Sequence, residues 1–239
     1  MSNTYFQFKQ FKIEQEYCAM KVCTDACLQG ALAAREVLDN KPKTILDIGT
    51  GTGLLSLMLA QNNAFKKHDA IEINKDAFKQ AKENFTDNVL GKNIRLILGD
   101  IRFYAPDYQY DFIICNPPFY ENALKSLSVA KKQAMHASHL DYDDLLSRLK
   151  LLLKPEGICS LMLPFDFEKD MVYRSGNTNI YPYKIVRVKN KKEKSPFRSL
   201  LFLRKGKHKV DYDEIVIRNS DNSYTEEFQY FLRPYYLNL

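Results

Sequence analysis

Asn116-Pro117-Pro118-Phe119, directly after the apolar run YDFIIC, is the stretch of this 239-residue sequence whose residue types best suit chemistry. Proline fixes its own φ and biases the residue before it toward extended backbone, so Asn116 is held rigidly at a strand end. Its amide oxygen and the Pro117 carbonyl can together accept both hydrogens of a planar exocyclic amine, and Phe119 can stack on the ring bearing that amine. The lone pair of such an amine is delocalised into the ring, which makes it a poor nucleophile. Two carbonyl acceptors favour a pyramidal nitrogen, aim its lone pair at an electrophilic carbon and stabilise the cation that forms there. No strong base is required, because the product ammonium is acidic enough to lose its proton afterwards. The competing reading of NPP alone is a plain structural turn.

Three acids accompany it. The run TILDI leads into Asp47-Ile48-Gly49-Thr50-Gly51-Thr52-Gly53, a glycine turn at the carboxyl end of a strand, where open α/β sheets bind ligands. The dinucleotide fingerprint would need a glycine where Leu54 stands, and no GK[ST] follows, so neither a nicotinamide site nor a phosphate loop is expected. Glycines on alternate residues let backbone approach a ligand closely, and Asp47 offers a carboxylate to a cationic group. Glu72, 19 residues beyond Gly53, is placed to accept from two ribose hydroxyls, with Ile73 beside it. Asp100 closes the next run as LGDI and can accept from an adenine amine while the Ile101 N–H donates to the ring. Singly each is weak evidence; together they imply an adenosyl-like ligand without phosphates to neutralise.

These residues need strands that end in register. From Lys43 to Leu163 short β-rich runs alternate with amphipathic stretches, the pattern of a parallel sheet with helical crossovers. Ala77, Phe78, Ala81 and Phe85 recur at helical spacing opposite Lys79, Lys82 and Glu83, which predicts a helix over 75–85. DYDDLLSRLKLLLKPEG reads as a helix with an acidic first turn and a Pro-Glu-Gly stop, followed by the strand GICSLMLP. IYPYKIVRVKN and SLLFLRKG flank the charged turn KKEKSPFR and read as an antiparallel hairpin. EIVIR is a further strand-like piece, and EEFQYFLRPYYL an aromatic helical stretch expected to pack into the core. The expected fold is therefore α/β: a mostly parallel seven-stranded sheet with helices on both faces and an antiparallel terminal hairpin. Residues 1–40 read as a lead-in covering the cleft, and 41–239 as the domain proper with a C-terminal extension.

The chain is 45% apolar, enough for a substantial core, which excludes disorder and fibrous repeats. No run approaches the roughly 18 apolar residues of a membrane span, and MSNTYFQFKQFK lacks the sections of a signal peptide. A cytoplasmic protein away from membranes is expected. Five cysteines without a CxxC pair fit reduced thiols, and His136 and His139 lack companions for a metal site, so no metal is expected. The net charge of +6 is concentrated: residues 184–209 hold eleven Lys/Arg against Glu193, a local +10 that leaves −4 elsewhere. With Tyr183 and Phe197 interleaved, this segment is a candidate polyanion site, although charge runs are often solvated loops.

Taken together, the glycine turn and NPPF resemble class I, Rossmann-like methyltransferases that use S-adenosylmethionine and methylate amino groups. FKQFKIEQEYCAMKVCTDA, LDIGTGTGLLSLMLAQ, AIEI, NPPFY and VIRNSDNSYTEEF narrow the likeness, over almost the whole chain, to the bacterial tRNA1(Val) adenine-N6 methyltransferases, which modify the adenosine 3′ of the anticodon. The family's lead-in reads MKVGTDG; Cys23 and Ala26 replace its glycines, while Lys21, Thr24 and Asp25 match.

The resemblance implies cofactor binding by Lys21, Thr24, Asp47, Gly49, Gly51, Gly53, Glu72, Ile73, Asp100, Ile101 and Asn116, and catalysis by Asn116, Pro117 and Phe119. Substrate contacts are expected from Pro118, Tyr120, Lys131, Lys132, Lys191, Lys192, Lys194 and Arg198. The partner implied is a valine tRNA bound through its anticodon loop, where a base need only unstack to enter a pocket, and the enzyme is expected to be a monomer. Rival readings are a methyltransferase acting on ribosomal RNA or on a release-factor glutamine, DNA adenine methylation, and a non-catalytic RNA-binding module.

Overall fold

A computed structural model describes residues 3–18, 20–61, 65–117 and 141–239. The lead-in forms two short antiparallel strands, β1 (Tyr5–Gln7) and β2 (Lys12–Glu14), then the helix α1 (Thr24–Asn40). The alternation follows as read: β3 (Thr44–Ile48), α2 (Leu54–Ala60), β4 (Lys67–Glu72), α3 (Lys75–Asp87), β5 (Ile94–Leu98) and β6 (Tyr110–Cys115). The second half supplies α4 (Tyr142–Leu152), β7 (Leu153–Pro164), α5 (Glu168–Gly176), β8 (Ile180–Lys191), β9 (Arg198–Lys205), β10 (Asp211–Arg218) and α6 (Glu226–Leu232).

Local chemistry fixes the helix starts. Asn74 accepts from the Asp76 and Ala77 amides at the head of α3, Asp141 from Asp144 on α4, and Thr225 from Phe228 on α6, each meeting donors that the first helical turn leaves open. Pro155 cannot continue α4. The backbone turns straight into β7, and the pairing with β6 shifts register between Tyr110 and Phe112 to absorb the Lys-Pro-Glu-Gly insert.

The main sheet runs β10-β8-β9-β7-β6-β3-β4-β5. All its strands are parallel except β9, which lies antiparallel to both β7 and β8. Among the described residues this sheet has eight strands, one more than the seven expected. The hairpin inserts β9 between β7 and β8, leaving β8 with an open edge, and the EIVIR strand of β10 pairs along it. Since β8 and β10 run with β7, the turn after β8 and the loop after β10 lie on the same edge as the carboxyl ends of β3–β6.

One face of the sheet is covered by α1, α2, α3, α6 and the lead-in residues Phe8, Phe11 and Ile13. The other is covered by α4 and α5 through residues such as Leu145, Leu149 and Met171. The aromatic tail packs as expected, with Phe228, Leu232 and Tyr235 buried and Tyr236 bridging to Phe8. Among the described residues no helix is long and apolar enough to cross a membrane.

Candidate functional site

The turn after β3 has positive φ at three glycines: +69° at Gly49, +57° at Gly51 and +84° at Gly53. The Gly49 and Thr50 amides donate to Ile71 O across to β4, at 2.9 and 3.1 Å. A Cβ on Gly49 would meet nothing within 4 Å, so that residue presents bare backbone to open space. A Cβ on Gly53 would lie 2.4 Å from Phe85 Cε1, so this glycine lets α2 close against α3 instead.

A cleft of about 800 Å³ opens over the turn. Its lining includes Gly49, Gly51, Glu72, Ile73, Asp100, Ile101, Asn116 and Pro117, with Tyr17, Cys18, Met20, Lys21 and Val22 of the lead-in. Eight of the expected ligand-site residues and Lys21 thus converge from five chain segments.

Three do not join the lining. Gly53 packs helices, Thr24 begins α1, and Asp47 is fully buried outside the cleft lining. Asp47 Oδ2 accepts from Thr50 Oγ1 at 2.7 Å and Ser56 Oγ at 2.8 Å, while Oδ1 has no partner among the described residues. Burial pushes the Asp47 carboxyl up to about 6 against those two donors. The sequence signal, an acid two residues before a glycine, does not distinguish a ligand contact from a brace, and the geometry here is that of a brace.

Glu72 does two jobs. Its Oε2 accepts from the Gly51 amide at 2.9 Å and its Oε1 from the Asn74 amide at 2.8 Å, so the carboxylate binds the glycine turn to the head of α3 while facing the cleft. Asp100 is held by Arg102, with Nη2 2.6 Å from Oδ2 and Nε 2.9 Å away. Those hydrogen bonds keep its carboxyl ionised, below the usual range. Asn116 Oδ1 is buried with no hydrogen-bond partner among the described residues, an acceptor left open beside the cleft at the end of β6.

Gln29 was not legible as functional. Buried in the apolar face of α1, it donates to Cys115 O at 2.9 Å, the carbonyl just before Asn116, and so holds the chain where β6 ends. Its signal is an amide inside the otherwise apolar stretch CLQGALAA. Cys23 has φ −129° and ψ 156°, a conformation open to any residue. All five cysteines are free thiols, and burial pushes Cys18 up to about 11 and Cys23 and Cys27 to about 12.

The basic segment is partly neutralised within the chain. Lys184 pairs with Glu36, Arg187 with Glu168, Lys189 with Glu214 and Arg198 with Asp25. Arg198 Nε lies 2.8 Å from Asp25 Oδ2, so this residue, expected to contact substrate, fastens β9 to the first turn of α1. Lys191, which reaches Ser220 O, and the exposed Lys192 and Lys194 remain at the β8–β9 turn, on the cleft edge of the sheet. Pro118, Phe119, Tyr120, Lys131 and Lys132 lie outside the described residues. Among the described residues no group of three or more His, Cys, Asp or Glu could hold a metal ion.

The comparisons with known proteins agree on this frame. The family model described as "Methyltransferase small domain" matches residues 25–142. A tRNA1(Val) (adenine(37)-N6)-methyltransferase of Cytophaga hutchinsonii is 40% identical over the full length of both chains. A protein of the same name from Tolumonas auensis is 38% identical over 100% of this chain and 99% of that one. Among solved structures, a predicted O-methyltransferase from Agrobacterium tumefaciens superposes with a TM-score of 0.68 at 15% identity, over 90% of this chain and 99% of its own. An S-adenosylmethionine-dependent methyltransferase from Clostridium acetobutylicum gives 0.57 at 15% identity, over 78% and 94%.

Proposed function

Because the chain belongs to the tRNA1(Val) (adenine(37)-N6)-methyltransferase family, we propose that it transfers a methyl group from S-adenosylmethionine to N6 of adenosine 37 in a valine tRNA. The observation that carries this reading is the convergence on one cleft of the bare-backbone glycine turn, Glu72, Asp100 and the open acceptor Asn116 Oδ1. These residues fit the cofactor: Gly49 leaves room where a side chain would intrude, Glu72 suits ribose hydroxyls, and Asp100 suits an adenine amine. When bound, S-adenosylmethionine supplies an electrophilic methyl group on a sulfonium.

The chain's own work is to hold the acceptor. Asn116 Oδ1 and the Pro117 carbonyl accept the two N6 hydrogens and direct the lone pair. Phe119 stacks on the base, and Pro118 and Tyr120 border it. The carbonyl dipoles stabilise positive charge on nitrogen, and alignment of donor and acceptor contributes up to about 7–11 kcal/mol. The lead-in, residues 1–40, walls the cofactor, and the enzyme acts as a cytoplasmic monomer. A valine tRNA transcript should gain one methyl group per molecule with the purified protein, and a transcript carrying guanosine at position 37 should gain none. Equal methylation of both would refute the assignment.

Lys191, Lys192 and Lys194, with Lys131 and Lys132, grip phosphates flanking the target. Charge reversal of Lys192 and Lys194 together is expected to weaken tRNA binding and to flatten the log–log salt slope by about 0.7–0.9 per lost contact, read from filter binding across salt. An unchanged slope would return the turn to a solvated loop.

Asp47 acts on the cofactor through the turn it braces. Since its folded-state pKa is raised, ionisation costs stability above about pH 6 and nothing below about pH 4, a difference of up to roughly 3 kcal/mol. The Tm of Asp47→Asn minus that of the wild type should therefore move in the variant's favour as pH rises from about 4 to 7. In the same variant cofactor affinity should fall at least about ten-fold. A Tm difference independent of pH would contradict the buried ionisation.

A further inference from the structure

We propose that Asn84, which lies outside the cleft lining, is a positioning residue for cofactor binding because its amide ties the glycine turn to the lead-in strand β2, which runs into the cleft-lining residues Tyr17 and Cys18. Helix α3 carries Gln80 and Asn84 one turn apart on one face, and Asn88 follows four residues on, at its C-cap. Four residues of helix rise about 6.0 Å and two of strand about 6.6 Å, so amides at this interval can address alternate residues of an extended chain.

The contacts of Asn88 and Asn84 follow that match. Asn88 Oδ1 accepts from the Lys12 amide at 3.1 Å and its Nδ2 donates to Lys12 O at 3.0 Å. Asn84 Oδ1 accepts from the Glu14 amide at 2.8 Å and its Nδ2 donates to Glu14 O at 2.9 Å. Gln80 Oε1 accepts from the Tyr17 amide at 3.2 Å, where the chain reaches the cleft wall.

Asn84 does one thing the other two do not. Its Nδ2 also donates to Thr52 O at 2.8 Å, inside the glycine turn. Thr52 follows Gly51, whose amide Glu72 holds, so a single side chain, 1% exposed, joins the glycine turn to the end of β2, just before the cleft-lining Tyr17. Without it the turn and the lining residues that follow β2, Tyr17 and Cys18, are no longer held at a fixed spacing, and a ligand spanning them cannot satisfy both at once. The end of β6 is held separately by Gln29, so methyl transfer from a saturated enzyme should survive.

The test compares cofactor binding and turnover in Asn84→Ala and Asn88→Ala. Each removes one rung between α3 and β2, and only the first also releases Thr52. Asn84→Ala should raise the Kd for S-adenosylhomocysteine and the KM for S-adenosylmethionine about ten-fold, with kcat at saturation within about three-fold of wild type. Asn88→Ala should lower Tm but leave both constants within about two-fold. Should Asn84→Ala fold poorly, Asn84→Ser carries the same test. The proposal rests on reading the cleft as the S-adenosylmethionine site, and the wild-type titration separates the two. Wild-type protein that binds no S-adenosylhomocysteine overturns both. Wild-type binding with unchanged affinity in the Asn84 variant, or an equal loss in Asn88→Ala, overturns the positioning role alone.

Discussion

Asn116→Ala is expected to lower kcat for tRNA methylation by about 10²–10³-fold while leaving the Kd for S-adenosylhomocysteine within about three-fold. Asn116 Oδ1 is buried and has no hydrogen-bond partner among the described residues. Its worth appears when an amine hydrogen needs an acceptor and charge develops on nitrogen. The backbone of the turn does not depend on that side chain, since Pro117 restricts φ and Gln29 holds the Cys115 carbonyl at 2.9 Å. Stability should therefore change little. Single-turnover methylation together with a binding titration separates the two quantities. Turnover near the wild-type rate would contradict the role given to the amide oxygen.

Glu72→Ala is expected to weaken cofactor binding by about 100-fold or more and to lower Tm as well. The truncation strips acceptors from the Gly51 and Asn74 amides, at 2.9 and 2.8 Å, and leaves donors without partners at about 1–3 kcal/mol each. It also removes a carboxylate that faces the cleft. Two losses on one residue make this the larger binding defect, and it should exceed that of Asp47→Asn. Calorimetric titration with S-adenosylhomocysteine at fixed salt checks it. A Kd within about five-fold of wild type would show that the turn holds its shape without Glu72.

Much of this site could be read in advance because its signals are local. A glycine turn after an apolar strand, acids closing the next two strands and NPP closing the fourth each depend on a few consecutive residues. A parallel sheet necessarily gathers such strand ends on one edge. The same logic explains the misses. Whether Asp47 and Gly53 touch a ligand or brace the turn depends on Ser56 and Phe85, which fold onto them from neighbouring helices. Arg198 looked like a phosphate contact until Asp25, 173 residues away in sequence, was found beside it. Three further cations of the same segment are likewise met by acids from α1, α5 and β10. The amides of α3 were invisible for the same reason: Asn84 and Glu14 are 70 residues apart, and nothing in KENFTDN marks a residue that binds another segment's backbone. The eighth strand, though visible as EIVIR, could not be assigned a neighbour before the hairpin was known to leave β8 exposed.

The most direct measurement is radiolabelled methyl transfer from S-adenosylmethionine to total tRNA from a strain lacking this gene, followed by nuclease digestion and nucleoside mass spectrometry. The account predicts N6-methyladenosine at position 37 of a valine tRNA and no label in other tRNAs. Label entering protein or ribosomal RNA, with none in tRNA, would contradict it.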